Sequence, residues 1–507
     1  MNFRPLPLPC SLSNRVARAL PMLTLRPLLA CALAMAAACL YGCGNEDGGP
    51  IRISAIGGPP RLVNVNRFPL DPPSALLMET TAQGLVRFEQ SGHIEPALAQ
   101  RWIVSDDGLR YTFRLAPVRW ASGEDVSADQ VVARLRAAIA SSSRNPLKPV
   151  LGGIDEIEAM TDDVLEISLN APRPYFLELL AQPELGIVRN GQGSGPFRAT
   201  EQPDGALRLE IPEPDEEEER PGPPAPRIIL RGERAALAVA RFKAGGADLV
   251  TGGNAGDLLV ARAAELPTQA LHFDPVSGLF GLMFLNNRGL LGDVEARHAL
   301  SMAIDRDALV TALGVPALQP RTSLLPPNLD ELPQPAVPAW TTLPLAERRA
   351  RAARTIADLE EEEPPRIRVA VPESPGYRVV FAHLRRDWQA IGVSAEAVAE
   401  DAAADVRLID EVAPANMASW YLLHFTCRSS RVCSSEADAA LDSARNATDL
   451  QEQRALLATA DRLLEENLPF IALTAPVRWY LVGSRLTGFR PSPLGRHPVD
   501  HLIAVRR

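Results

Sequence analysis

Alternating apolar and polar residues predict a series of short strands in the first part of the chain. The segment 51–55 alternates and then runs into the turn-forming residues Gly57-Gly58-Pro59-Pro60. Further strand-like segments are separated by Ser91-Gly92 and Asp106-Asp107-Gly108, which favour turns. These segments are 85–88, 102–104, 111–115, 155–160 and 164–169.

Apolar residues at helical spacing occur between these strands and are more frequent in the second half of the chain. Val131, Val132, Leu135 and Ile139 recur at helical spacing, and Ser127 with Gln130 forms a capping-box sequence. Other segments have the same periodicity and predict helices at 74–83, 234–244, 294–313 and 377–391, with 436–467 mainly helical.

Strands and helices alternate beyond residue 226. A β-α-β unit is predicted over 367–371, 377–391 and 393–398, and a strong apolar strand over 279–285. The mixture predicts α/β lobes with a strand-rich insertion near the start. With 507 residues, the chain exceeds one compact core and is expected to form two or three subdomains.

The first forty-odd residues have the pattern of an export signal. Residues 1–42 contain four arginines and no acidic residue, and the apolar segment 28–40 is too short to span a bilayer comfortably. Leu40-Tyr41-Gly42-Cys43 resembles the lipobox of bacterial lipoproteins, although a small residue is usual at the position of Tyr41. We predict a signal peptide (1–42), acylation at Cys43 and a polar tether (43–50). A plain cleaved signal or an uncleaved anchor is the alternative.

The charge of the chain disfavours nucleic-acid partners. The formal net charge is −10, and loss of the four arginines in residues 1–42 would leave −14. A body this acidic repels phosphate backbones. Acidic runs at 216–219 and 360–363 are typical of solvated loops.

Two cysteines remain in the body of the exported chain. Cys427 and Cys433 are close in sequence and predict a disulfide. A metal site with His424 is the weaker alternative, because zinc sites favour shorter cysteine spacings and no fourth ligand is evident. No metal or cofactor is therefore expected.

Five ordered segments resemble family 5 of the extracellular solute-binding proteins, the peptide and nickel type that serves ABC importers. They span nearly all of the chain after the signal. The segments are 84–88 with Ser91-Gly92, Pro96-Ala97-Leu98-Ala99 and Trp102; 105–113; 120–123 with 127–131; Gly193-Ser194-Gly195-Pro196-Phe197; and Phe284-Leu285-Asn286 with Asp293, Arg297 and 299–306.

This resemblance implies an α/β, two-lobed periplasmic binding protein, a type II-like clamp with an additional small α+β subdomain. Lobe I would comprise 51–78, 190–265 and 478–507, the small subdomain 79–189, and lobe II 266–477. The implied function is capture of a peptide or similar small polar solute and its presentation to an ABC permease. A monomer in the periplasm or cell envelope is expected, anchored by its lipid. The alternative is a non-transport binding protein that acts as a sensor or periplasmic chaperone.

The chain departs from the family at two places that bear on the ligand. Peptide binders of the family carry an acidic residue that pairs with the ligand's ammonium group, and Pro414 stands near that position here. Asn64 stands near a second family acid. Asp410 or Glu411 could substitute. The departures predict that free-amine dipeptides bind less well than blocked or anionic solutes.

Six residues are candidate ligand contacts. Trp420 and Tyr421 are expected at the cleft wall, although core packing explains them equally well. Asn286 and Asn287 are expected at a strand end facing the cleft, with turn or capping roles as the alternative. Arg61 could meet a carboxylate, although a solvated surface arginine is the more ordinary interpretation. Asp410 completes the set.

Sequence motifs do not support an enzyme. The chain lacks Gly-x-Ser-x-Gly, His-Glu-x-x-His and a nucleotide-binding Gly-Lys-Ser/Thr. The histidine pair His497 and His501 contains Pro498, which argues against a helix presenting both to one metal.

Overall fold

A computed structural model describes residues 49–89, 91–212, 226–359 and 364–504, which all belong to one compact unit. The predicted signal peptide (1–42), Cys43 and all of the tether except residues 49 and 50 lie outside the described residues. The acidic runs at 216–219 and 360–363 also lie outside them. No helix in the described part of the chain has the length and apolar character needed to cross a bilayer.

The strands of the described residues are named in chain order. They are β1 (Ile51–Ile56), β2 (Val86–Phe88), β3 (Ile94–Pro96), β4 (Ala99–Val104), β5 (Arg110–Leu115), β6 (Ile154–Thr161), β7 (Val164–Leu169), β8 (Val188–Arg189), β9 (Gln192–Gly193), β10 (Arg198–Glu201), β11 (Leu207–Glu210), β12 (Ile228–Glu233), β13 (Leu249–Asn254), β14 (Leu271–Asp274), β15 (Gly278–Phe284), β16 (Arg366–Ala370), β17 (Ser394–Val398), β18 (Val406–Val412), β19 (Phe470–Thr474), β20 (Arg478–Val482), β21 (Leu486–Thr487) and β22 (Ile503–Ala504).

The α-helices are named in the same way. They are α1 (Pro72–Thr81), α2 (Ala128–Ile139), α3 (Phe176–Leu180), α4 (Ala235–Lys243), α5 (Leu258–Ala263), α6 (Val294–Ala303), α7 (Arg306–Leu313), α8 (Leu345–Ala357), α9 (Pro375–Gln389), α10 (Ala418–Leu423), α11 (Ser435–Asn446) and α12 (Leu450–Asn467). Short 3-10 turns occur at Pro183–Leu185, Gly289–Gly292 and Ala339–Thr342.

The first lobe is built on a seven-stranded sheet with the order β10-β11-β12-β1-β13-β20-β14. Its centre is parallel, because β1 pairs in parallel with both β12 and β13. Most of β1 is buried, as expected for a central strand covered on both faces. The strand β14 belongs to this sheet through its pairing with β20, with Leu271 opposite Leu481. The sequence had placed this strand in the second lobe, so that boundary is corrected to the segment after Asp274.

The second lobe is built on a five-stranded sheet with the order β17-β16-β18-β15-β19. The predicted β-α-β unit is present as β16, α9 and β17, with β16 and β17 parallel. Trp388 of α9 is fully buried, and its indole donates a hydrogen bond to the carbonyl of Leu300 at 3.0 Å. This contact fixes α9 against α6 on one face of the sheet.

The predicted long helix over 294–313 is two helices in the structure. The chain leaves helical geometry at Ile304, and the Asp305 side chain then caps α7 by accepting from the backbone of Ala308 at 3.0 Å. The backbone of Asp305 also donates to Asp387 at 2.9 Å. Periodicity alone missed the break because both helices present apolar residues to the same core.

The small subdomain contains a four-stranded antiparallel sheet with the order β4-β5-β7-β6. Helix α2 packs on this sheet and begins with the predicted capping box of Ser127 and Gln130. Val131, Val132 and Leu135 face inward and are buried. This subdomain is continuous in sequence and is inserted between β1 and the rest of the first sheet.

The lobes are joined and also in contact away from their connections. The chain passes from β14 to β15 through residues 274–278 and returns from β19 to β20 through residues 474–478. One apolar core extends from the small subdomain into α10, α11 and α12 of the second lobe. Gln182 of the subdomain donates a hydrogen bond to the Pro414 carbonyl at 2.7 Å. The small subdomain and the second lobe are therefore packed against each other.

Candidate functional site

A cavity of about 470 Å³ lies where the two lobes and the small subdomain meet. Its volume is in the range of small-molecule sites, about 300–1,000 Å³. All three parts of the fold contribute to the wall. The lining residues are Leu70, Asp71, Pro72, Ala75, Leu76, Glu79, Pro146, Leu147, Gln182, Glu184, Thr251, Gly252, Asn254, Asp410, Glu411, Val412, Ala413, Pro414, Trp420, Arg478, Leu494, Gly495, Arg496 and His497.

Helix α1 supplies one wall, and its first turn is fixed by Asp71. This carboxylate accepts hydrogen bonds from the backbone of Ser74 at 3.1 Å and of Gly58 at 2.8 Å. The first bond caps the helix and the second holds the loop that follows β1. Asp71 therefore orients the helix whose later residues, including Glu79, face the cavity.

Asp410 and Arg478 join the lobes across the cavity wall. The Asp410 carboxylate lies 2.7 Å from Nη1 of Arg478 and accepts from the hydroxyl of Tyr377 at 2.6 Å. Burial, followed by the charge of Asp410, raises the pKa of Tyr377, so its hydroxyl stays a donor. The Asp410 side chain is only 8% exposed. Its charge is thus already neutralised by partners within the protein.

Arg496 lies between two other carboxylates of the cavity wall. Its Nη1 is 3.0 Å from Glu79, and its Nη2 is 3.4 Å from Glu184. Burial raises the pKa of Glu79, against the opposing effect of Arg496. Burial also disfavours the charged guanidinium, but the charges of Glu184 and Glu79 outweigh it and raise the pKa of Arg496. With both carboxyl groups ionised the three groups carry a formal charge of −1, and the raised pKa of Glu79 works against that ionisation.

Glu411 follows Asp410 but points to a different partner. Its carboxylate lies 3.3 Å from Nε2 of His424, and this hydrogen bond lowers the pKa of Glu411. The other ring nitrogen of His424 lies 2.7 Å from the Trp420 carbonyl. Both ring nitrogens thus lie close to oxygen atoms of the protein. At 51% exposed, the Glu411 side chain is the most accessible of the carboxylates whose ion pairs line the cavity.

The structure separates the two predicted aromatic contacts. Trp420 lines the cavity and packs edge-on against Tyr421 and His424. Tyr421 is fully buried behind it, and its hydroxyl lies 2.9 Å from Ser277. Both side chains belong to the same apolar core, and Trp420 is itself only 6% exposed where it reaches the cavity wall. The core-packing alternative therefore describes Tyr421 and most of the Trp420 ring.

Three other candidates lie away from the cavity. Antiparallel pairing puts Gly278 of β15 opposite Val412 at the cavity end, so the residues after Phe284 lie at the far end of the strand. Asn286 there donates to Asp405 at 3.1 Å, and Asn287 is exposed at the surface. The placement of both asparagines at the cleft is thus corrected. Arg61 is exposed and does not line the cavity.

Four charged residues of the site were missed from the sequence. Glu79, Glu184, Arg478 and Arg496 come from distant parts of the chain and meet only in the folded protein. No local motif marks them, since each lies in a segment with ordinary amphipathic or loop composition. The sole signal was that their segments flank predicted lobe boundaries.

A second cavity, of about 650 Å³, lies between the small subdomain and the second lobe. Its described lining residues include Lys148, Arg428 and Asp438 but none from the seven-stranded sheet. The sulfur atoms of Cys427 and Cys433 lie at bonding distance, 2.18 Å, in the neighbouring loop. Among the described residues, no group of three or more histidine, cysteine or acidic side chains could hold a metal ion.

Comparison with known families decides the assignment. Residues 93–422 match the family described as "Bacterial extracellular solute-binding proteins, family 5 Middle". The chain belongs to this family. The resemblance read from the ordered sequence segments is thereby confirmed.

Relatives and solved structures of family 5 cover most of the chain. The periplasmic oligopeptide-binding protein OppA of Escherichia coli is 22% identical over 482 residues, which are 85% of this chain and 87% of that protein. The structure of Haemophilus influenzae OppA in complex with RPPGFSPFR matches with a TM-score of 0.77 at 17% identity, over 90% of this chain and 99% of the other. Helicobacter pylori DppA, an ABC transporter-associated periplasmic binding protein in complex with the peptide STSA, matches with a TM-score of 0.70 at 18% identity, over 90% and 98%.

These likenesses confirm the predicted two-lobed α/β fold. Family membership also supports the predicted function, a substrate-binding component of an ABC importer, and not the sensor or chaperone alternative.

Proposed function

We propose that this protein captures a peptide or a similar small polar solute in the 470 Å³ cavity and presents it to the permease of an ABC importer. The observation that carries the proposal is the composition of the cavity wall, which takes residues from both lobes and from the small subdomain. A ligand held there contacts all three parts at once.

Binding then acts on the equilibrium between open and closed lobes. The two connections at 274–278 and 474–478 are short, and the lobes meet across the cavity in a closed arrangement through the pair of Asp410 with Arg478. A solute that touches both lobes stabilises this closed state. The permease is expected to recognise the closed form.

The same proposal places the protein outside the cytoplasm. Residues 1–42 act as the signal, Cys43 carries the lipid, and the protein works as a monomer tethered at a membrane of the cell envelope, without catalysis. The support is the sequence pattern around Leu40-Tyr41-Gly42-Cys43 together with the periplasmic relatives. Cells fed a labelled fatty acid should incorporate the label into the unaltered protein and not into a Cys43→Ala variant, whereas equal labelling of both would contradict acylation at this residue.

Solute capture is tested with the chain from Gly44 onward. Mass spectrometry of the denatured, freshly purified protein should reveal a co-purified solute, and thermal scans against a di- and tripeptide panel should show shifts of about 3 °C or more for binders. Small-angle scattering should show compaction with the same peptides. Absence of any shift, compaction and co-purified solute would overturn the proposal.

A matched pair of variants locates the binding to the cavity. Ala75 lines the cavity on α1, so Ala75→Phe fills part of it and should abolish the shifts. Ala439 is exposed on α11, and Ala439→Phe should bind as the unaltered protein does. Equal binding by both variants would place the solute elsewhere.

A further inference from the structure

The wall of the interlobe cavity holds an excess of negative charge. Among its described lining residues are five carboxylates and two guanidinium groups, a formal net charge of −3 with histidines neutral. Glu411 is hydrogen-bonded to His424 at 3.3 Å, so this carboxylate already has a partner within the protein. A solute of positive charge would offset the remaining excess.

The excess is concentrated at one place on the wall. Asp410 is balanced by Arg478, and Asp71 is balanced by the start of α1. In contrast, Glu79 and Glu184 share the single guanidinium of Arg496, and its contact with Glu184 is the longer one, 3.4 Å against 3.0 Å. We call Glu79, Arg496 and Glu184 the acidic wall.

The acidic wall is shielded from water. The side chains of Glu79, Glu184 and Arg496 are 19%, 13% and 23% exposed. Charge pairs in such places are screened less than surface pairs. An uncompensated carboxylate there gains more from a cationic partner than it would on the surface.

The rest of the cavity is apolar enough to hold the remainder of such a solute. Leu70, Leu76, Leu147, Leu494 and Trp420 all line it. The indole of Trp420 reaches this wall with a small exposed fraction, 6%, and aromatic rings attract ammonium and guanidinium groups that approach them. The cavity thus combines an acidic wall with an apolar and aromatic remainder.

We infer that the solute carries a net positive charge, with an ammonium or guanidinium group placed against the acidic wall, and that Glu184 sets this preference. The inference rests on the proposed function, since it concerns the same cavity. It reverses the sequence-based expectation of an anionic or blocked ligand, because the acids of the wall outnumber its cations. A short cationic peptide and a free diamine share this chemistry.

Matched tripeptides test the inference on the chain from Gly44 onward. Isothermal titration with Ala-Lys-Ala, Ala-Gln-Ala and Ala-Glu-Ala should give affinities in that order, with about a tenfold step from lysine to glutamine. Titration with cadaverine distinguishes a free diamine from a cationic peptide as the solute. If cadaverine binds as tightly as Ala-Lys-Ala, the solute is a free diamine. If cadaverine binds more weakly, the solute is a peptide. Either result supports a cationic solute. Tighter binding of Ala-Glu-Ala than Ala-Lys-Ala overturns the inference and leaves solute capture intact, while no binding of any probe overturns both.

Glu184→Gln tests the acidic wall itself. This isosteric change leaves Glu79 and Arg496 as a neutral pair, so the preference for Ala-Lys-Ala over Ala-Gln-Ala should fall about fivefold to tenfold. Glu124→Gln, at an exposed position of the same subdomain, should keep the full preference. If Glu184→Gln does not fold, Glu79→Gln removes the same charge from the other side of Arg496. Unchanged preference in the folded variant overturns the assignment to this wall.

Discussion

Asp410 of the second lobe forms an ion pair with Arg478 of the first lobe, with 2.7 Å between carboxylate oxygen and Nη1. Arg478 begins β20, directly after the returning connection between the lobes. The pair therefore lies beside the connection 474–478 and links the two sheets to each other. It also occupies the carboxylate that the sequence nominated as a ligand contact.

Loss of this pair should destabilise the protein. Arg478→Ala leaves the Asp410 carboxylate, 8% exposed, with Tyr377 as its remaining side-chain partner. We expect the free energy of unfolding in urea to fall by on the order of 3 kcal/mol. Arg366→Ala serves as the control, since Arg366 is 66% exposed in its pair with Glu396 and should cost less than about 1 kcal/mol. If both variants lose the same free energy of unfolding, the pair of Asp410 and Arg478 stabilises the protein no more than an exposed ion pair does.

Stability should fall as pH rises because of two buried acids in α12. Burial raises the pKa of Glu465 from 4.5 to about 8, and burial raises that of Asp461 to about 6. The folded protein therefore keeps protons that the unfolded chain releases. The stabilisation is complete below about pH 4.5 and is lost progressively up to about pH 8.

Glu465→Gln isolates this effect. The amide cannot ionise, so the variant should match the unaltered protein at pH 4.5 and exceed it at pH 8 by about 3 kcal/mol in urea unfolding. Glu466→Gln, one residue along and 61% exposed, should change stability by less than about 0.5 kcal/mol at both pH values. A pH-independent difference for Glu465→Gln would contradict the raised pKa.

Gly193 should not tolerate a side chain. A Cβ at this position would lie 1.9 Å from the carbonyl oxygen of Thr81, at the end of α1. Gly195 in the same loop donates its backbone hydrogen bond to that oxygen at 2.8 Å. Gly193→Ala must displace the loop from α1, and we expect a loss of about 3 kcal/mol in urea unfolding.

Gly205→Ala separates crowding from backbone strain. Gly205 has open space around it but a φ of +76°, so alanine there should cost about 1 kcal/mol. If Gly193→Ala lowers the free energy of unfolding no more than Gly205→Ala does, the loop at Gly193 can move away from α1 at little cost.

Trp420 should contribute to affinity for cations. Trp420→Phe keeps an aromatic ring but weakens the attraction for a cation, so the affinity for Ala-Lys-Ala should fall about threefold to fivefold in isothermal titration. Trp102 lies in β4 and does not line the cavity, so Trp102→Phe should leave the affinity unchanged. Identical affinities for both variants would remove Trp420 from the binding surface.

Local features of the fold followed from the sequence, and the site largely did not. The capping box of Ser127 and Gln130 depends on four consecutive residues, and helix α9 follows from an uninterrupted helical period of apolar residues. Both could therefore be predicted from the sequence. Asn286 was misplaced because the sequence does not say which end of β15 meets the other lobe. Arg496 and Glu79 are far apart in the chain, and their contact depends on the whole first lobe being assembled.

The position of β20 has a consequence for the order in which the chain folds. This strand joins β13 to β14 in the first sheet, yet it is made about two hundred residues after them. Every strand of the five-stranded sheet is made before β20, so the second lobe can assemble while β14 has no partner strand and β13 is paired only with β1. A chain that stops before residue 478 keeps every strand of the five-stranded sheet of the second lobe. The sheet of the first lobe then lacks β20, and its exposed strand edges favour aggregation or proteolysis.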